Sequence, residues 1–170
     1  MAILPIIIAP DTRLKAECDP VEKVTPELVK LMDDMLDTMY DAPGIGLAAN
    51  QIGIPWRIFV VNLGLETESD NLVTLINPEI TAMEGSELGE EGCLSIPDIV
   101  AKVNRATQVE IKAVDLNGKD VRYETTGFLA RALQHEMDHL NGILFWDSLG
   151  KIKRDILKRK FKKKLKEQGE

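Results

Sequence analysis

No run in this 170-residue chain approaches the roughly 20 consecutive apolar residues of a membrane-spanning helix, so no membrane is expected as a partner. Residues 1–10 lack a basic n-region and are broken by Pro5 and Pro10, and nothing there marks the chain for export. Cysteine is scarce. Cys18 and Cys93 lie far apart and make no disulfide framework, which points to a reducing compartment, the cytoplasm. No repeat and no low-complexity linker divides the sequence, and 44% hydrophobic residues suffice for one core, so a single domain is expected. Gly44-Ile45-Gly46 is followed by Leu-Ala-Ala instead of a third glycine, which argues against dinucleotide binding.

Histidine is just as scarce, and its two copies fall together in His135-Glu136-Met137-Asp138-His139. Residues four apart on a helix differ by about 40° in azimuth, so both imidazoles leave one face, one turn apart, and are able to share a metal ion. Glu136 points to the side, where it reaches a water near such an ion and acts as a general base. The alternative is a polar stripe on a surface helix. Against it, Phe128, Leu129, Ala132, Leu133, Met137 and Leu140 recur at helical spacing, so the histidine face borders an apolar side. Thr125 or Thr126 is the expected cap, and Asn141-Gly142 the stop.

A catalytic centre of this kind takes a third protein ligand. One metalloprotease class continues to a third histidine, but that position is Phe145 here. Asp147 follows the helix closely, and Glu167 lies in a lysine-rich tail. Cys93 sits in Glu91-Gly92-Cys93-Leu94-Ser95, where glycine lets the backbone bend and present a thiolate. A lone cysteine is more often a small buried hydrophobe, the reading adopted for Cys18.

The remaining pattern is α+β. Thr25-Pro26-Glu27 starts a helix whose stripe is Leu28, Leu31, Met32, Met35, Leu36 and Met39, with the methionines filling core. Residues 57–63 and 72–76 read as short buried strands. Residues 109–114 alternate, turn at Asn117-Gly118 and return through Val121 and Tyr123 as a hairpin. Residues 66–71 are polar and read as a mobile loop. The expected architecture is therefore one domain of short antiparallel or mixed sheets packed around a central metal-binding helix, with an N-terminal helix and a basic C-terminal helix. Residues 1–150 form its catalytic part and 151–170 an extension. That extension holds 10 Lys and Arg against 3 Asp and Glu, leaving 11 against 25 in the body. Ile152, Ile156, Leu157, Phe161 and Leu165 make it an amphipathic helix over about 148–166, either docked by its apolar stripe or serving as a handle for RNA.

Three segments together carry a resemblance: Gly44-Ile45-Gly46-Leu47-Ala48-Ala49-Asn50-Gln51, Glu91-Gly92-Cys93-Leu94-Ser95 and His135-Glu136-Met137-Asp138-His139 resemble, in order, the signature motifs of the peptide deformylase family. The similarity extends over nearly the whole chain, including Pro10-Asp11-Thr12-Arg13-Leu14. It implies metal-dependent removal of the N-terminal formyl group from formylmethionyl nascent peptides, with formate released. Cys93, His135 and His139 then hold one divalent ion, natively iron(II), with zinc, nickel or cobalt as alternatives. Glu136 is the base, and the Gln51 side-chain amide with the Leu94 backbone N–H stabilises the oxyanion. Ile45, Gly46 and Gly92 are assigned to the substrate backbone. Phe128, Arg131 and Ala132, which lie seven, four and three residues before His135, are assigned to the methionine pocket, Arg131 through its aliphatic stem. The resemblance also implies a ribosome contact by the C-terminal helix, and a monomer is expected.

Overall fold

A computed structural model describes residues 2–62 and 72–168. The polar segment 66–71 lies outside the described residues. Helix α1 (Pro26–Asp41) begins as the sequence predicts, with Pro26 in its first turn and the Thr25 hydroxyl accepting from Leu28 N at 3.2 Å. Its stripe of Leu28, Met32, Met35 and Met39 is fully buried, so the methionines are core.

They cover one face of a five-stranded antiparallel sheet ordered β1-β2-β3-β6-β7. Its strands are β1 (Gly46–Ala48), β2 (Ile58–Asn62), β3 (Leu72–Glu84), β6 (Gln108–Val114) and β7 (Asp120–Thr126), between which β4 (Glu87–Cys93) and β5 (Ile96–Arg105) form a separate antiparallel pair. Side chains alternate across a strand. Ile58 and Val60 therefore meet α1, while Phe59 and Val61, with Val73, Leu75, Val109 and Ile111, face the opposite layer. That layer is α2 (Gly127–Leu140), which presents Ala130, Leu133, Met137 and Leu140 to the sheet.

The β4–β5 hairpin covers another side of α2. Behind it a third cluster joins Ile96, Ile99 and Val103 to Phe145, Trp146 and Phe161. The helix bearing the two histidines is thus enclosed between sheet and hairpin, as the α+β reading expects.

Several local readings differ from the structure. β3 runs on past residue 76 through Asn77-Pro78, because a register shift between Ile76 and Glu79 absorbs the proline and Asn77 takes a positive φ of 51°. Neither threonine caps α2 with its side chain: Thr126 makes no such bond and the Thr125 hydroxyl donates to Val109 O. The stop at Gly142 (φ 74°) is as predicted. Helix α3 (Lys151–Gln168) docks through Leu157, Phe161 and Leu165, but Ile152 and Ile156 are 78% and 52% exposed. They lie about 100° or more around the helix from Phe161 and face outward among the basic residues.

Candidate active site

Cys93 ends β4, and its pairing with Ile96 leaves Leu94 and Ser95 as a two-residue turn between β4 and β5. This turn fits against the 44–46 segment because Gly44 has no side chain; a Cβ there would lie 2.7 Å from Leu94 Cδ1. The hairpin brings the Cys93 thiol to the histidine face of α2. Cys93 Sγ lies 3.3 Å from His139 Nε2, which lies 3.2 Å from His135 Nε2. The three candidate donor atoms are all within 4.8 Å of one another. A tetrahedral ion with bonds of about 2.0–2.3 Å holds neighbouring donors roughly 3.3–3.7 Å apart, so the triangle has the size the group requires.

Burial alone lowers both imidazoles. His139 stays well below its usual value, reinforced by repulsion from His135, whereas contacts with Cys93 and Glu91 raise His135.

The rival third ligands are engaged elsewhere. Asp147 pairs with Lys15 and accepts from Leu144 N at 2.9 Å. Phe145 packs its ring against His135 at a centroid distance of 6.3 Å. Glu167 is exposed on α3.

Glu136 is buried beside the cluster. Its Oε1 has no hydrogen-bond partner among the described residues, and its Oε2 lies 2.5 Å from where a Cβ on Gly46 would be. Glycine at 46 is therefore what lets strand β1 pass so close to the carboxylate. Burial pushes the carboxyl up to about 7, with the charge of His135 as the largest influence opposing the rise.

Gln51, in the 3-10 turn Ala49–Ile52, is 1% exposed and is no surface amide. Ile45, Gly46, Gln51, Gly92, Cys93, Leu94, Phe128, Arg131, Ala132, His135 and Glu136 all line one cleft of about 570 Å³. His139 lies behind it, at 1% exposure. Phe128 is 57% exposed at the rim.

Arg131 lines the cleft, yet its head is engaged as well as its stem. Its Nη1 donates to Glu91 Oε2 (2.8 Å) and Val103 O (2.9 Å), and Nη2 to Glu87 O (2.7 Å), so it fastens the hairpin to α2.

A second tier of residues was not recognised from the sequence. Glu91 accepts from Arg105 through both oxygens, at 2.8 and 2.9 Å, and its Oε1 takes His135 Nδ1 at 2.9 Å. That contact turns His135 Nε2 toward the triangle. Arg105 also binds Asp138 at 2.5 Å. Burial would raise Glu91, but hydrogen bonds from Arg105 and His135 outweigh it and hold the carboxyl down at about 2. A carboxylate two residues before Cys93 is visible in the sequence; Arg105 carries no local signal.

A thiol and two imidazoles converging at a cleft floor beside a buried carboxylate are the arrangement of a metal-dependent hydrolase. The family model described as polypeptide deformylase matches residues 3–155. The chain is 52% identical over 170 residues to the peptide deformylase of Mesorhizobium japonicum, covering 99% of this chain and 97% of that one. It is 48% identical over 164 residues to that of Thermodesulfovibrio yellowstonii, covering 96% and 99%. Among solved structures, a peptide deformylase from Legionella pneumophila superposes with a TM-score of 0.92 at 44% identity, covering 99% of this chain and 98% of that one. One from Ehrlichia chaffeensis in complex with actinonin gives 0.89 at 40%, covering 96% and 98%. The chain belongs to the polypeptide deformylase family.

Proposed function

We propose that Cys93, His135 and His139 hold the single metal ion of this deformylase, that Glu136 is its general base, and that Gln51 Nε2–H and Leu94 N–H receive the developing oxyanion. The reaction is removal of the N-terminal formyl group from nascent peptides. The observation that carries the assignment of residues is the convergence of one thiol and two imidazoles beside an unpartnered buried carboxylate.

When bound, the ion supplies Lewis acidity, which lowers the pKa of a water and polarises an amide carbonyl. Glu136 would take a proton from the attacking water at its carboxylate and return it to the leaving nitrogen, which then departs as a neutral amine instead of an amide anion. Gln51 and Leu94 donate to the carbonyl oxygen as it gains charge. Ile45, Gly46 and Gly92 present backbone along the cleft for an extended peptide. Phe128, Ala132 and the Arg131 stem wall a pocket for the methionine side chain.

The native ion is read as iron(II), as the family resemblance implies; the thiolate and two imidazoles suit zinc, cobalt or nickel as well. Residues 1–150 act as the catalytic body and 151–170 as its extension. The basic surface of α3, with Ile152 and Ile156 outward, is read as a ribosome contact. No helix among the described residues is long and apolar enough to cross a membrane. Two free cysteines fit a reducing compartment such as the cytoplasm, and the chain is read as a monomer.

The test is substrate choice. A formyl-methionyl tripeptide should release formate, while the same peptide acetylated at its N-terminus and a longer blocked peptide with internal bonds should remain intact. Cleavage of the internal bonds at a comparable rate would assign the chain to the endopeptidases instead.

A further inference from the structure

The carboxamide of Gln51 is gripped at both ends. Its Oε1 accepts from Ala48 N at 2.9 Å, which sets Nε2 on the other side. There it donates to Ser95 Oγ at 3.1 Å and, in a longer bond that a substrate carbonyl oxygen would replace, to Cys93 Sγ at 3.6 Å. Ser95 is fully buried in the turn that follows the ligand cysteine. One extended segment fixes the main chains of both residues: Ile7 N donates to Gln51 O at 2.7 Å, and Ala9 N to Ser95 O at 2.9 Å.

We propose that Ser95 is a positioning residue for the reaction, its hydroxyl oxygen engaging one Nε2 hydrogen of Gln51 so that the other is aimed at the carbonyl oxygen of the substrate. This rests on the reading of Gln51 as an oxyanion donor. The physical argument is torsional. The terminal torsion of a glutamine is broad and weakly restrained, so an amide held only at Oε1 sweeps its N–H groups through an arc. Such a donor accelerates the reaction only if it is already placed where charge appears, because reorienting it during the reaction consumes the stabilisation it offers. The Ala48 bond removes the flipped orientation and the Ser95 bond removes the sweep. Ser95 is not among the residues that line the cleft, and its hydroxyl bonds Gln51, so it acts through Gln51.

The experiment is a double-mutant cycle on the metal-loaded enzyme, with kcat, KM and metal content measured for Ser95→Ala, Gln51→Ala, the double variant and Ser95→Thr. Ser95→Ala should lower kcat about 5- to 20-fold, the scale of one neutral hydrogen bond acting through a donor, with KM and metal content unchanged. Ser95→Thr, which keeps the hydroxyl, should restore kcat to within about twofold on the same basis. On the Gln51→Ala background, Ser95→Ala should add nothing. A readout apart from turnover is the Gln51 side-chain amide pair in a ¹⁵N correlation spectrum, identified by its disappearance in Gln51→Ala; it should move in Ser95→Ala. Ser95→Gly, whose backbone suits a two-residue turn, makes the same comparison should the alanine variant not fold. Losses that multiply in the double variant, or an unchanged kcat in Ser95→Ala beside a lowered one in Gln51→Ala, would overturn the proposal. An unchanged kcat in Gln51→Ala would instead remove the oxyanion reading, and the role of Ser95 with it.

Discussion

Replacing Glu136 by Gln lowers formate release from a formyl-methionyl peptide by about 10²- to 10⁴-fold, the usual contribution of a positioned base, while the protein keeps its fold and its metal. The two effects separate because Glu136 lies outside the Cys93, His135 and His139 triangle, so the amide removes no donor from it. The fold is spared because the carboxylate is buried with Oε1 unpartnered; an uncharged group of equal shape is less costly there than an ion. The pH profile offers a second check. A base must be ionised to act, so wild-type activity falls as pH drops through the Glu136 pKa, which burial pushes up to about 7 against the charge of His135. The residual activity of Glu136→Gln should lack that acidic limb. Metal analysis and a pH-rate profile on both proteins decide the matter; a variant with full turnover would refute the role.

Replacing Glu91 has the largest expected effect on stability. One carboxylate receives Arg105, Arg131 and His135, at 2.8–2.9 Å, in an interior where the Arg105 side chain is 7% exposed. Glu91→Ala leaves Arg105 with Asp138 as its remaining acid and frees His135 Nδ1, at a cost of about 3–5 kcal/mol, typical of breaking a buried pair. A fall of the carboxyl from 4.5 to about 2 on folding corresponds to roughly 3 kcal/mol, which agrees in scale. The sign follows from the direction of the shift. The folded pKa is depressed, so the contribution is fully present above about 4.5 and is lost as pH falls toward about 2. Urea unfolding should thus separate wild type from Glu91→Ala widely at pH 7 and progressively less below pH 4.5. Metal affinity should fall about 10- to 100-fold, because His135 loses the partner that orients it. Equal unfolding midpoints at pH 7 would contradict this account of the network.

What the sequence disclosed follows the range of the interactions. His135 and His139 share a face because of local helical geometry, which their spacing of four states directly. Thr25-Pro26 and Asn117-Gly118 likewise act within a turn, and the α1 start and the β6–β7 hairpin stand where they were expected. Cys93 required the motif around it, since 42 residues separate it from His135 and spacing says nothing about such a contact. The β4–β5 hairpin escaped notice because Glu87, Gly89, Glu90 and Gly92 break any apolar alternation and Pro97 interrupts the return strand. Its strands are held by pairing with each other, by Arg131 from α2, and by Ile96, Ile99 and Val103 of β5 packing on Phe145, Trp146 and Phe161. The Arg105–Glu91–His135 chain was hidden for the same reason: three distant segments supply it, and charged residues in a sequence read as surface until a fold buries them. In α3 the composition reveals amphipathicity, but of its five apolar residues only Leu157, Phe161 and Leu165 dock, while Ile152 and Ile156 face outward.

The central claim is that one ion held by Cys93, His135 and His139 is needed for deformylation. It is tested most directly by titrating chelator-stripped protein with iron(II) under anaerobic conditions, with bound metal and formate release from a formyl-methionyl peptide measured at each addition. Activity should rise in proportion to bound metal and level off at one ion per chain, and Cys93→Ala should neither retain the ion nor regain turnover. Full activity in the stripped protein, or recovery in Cys93→Ala equal to wild type, would contradict it.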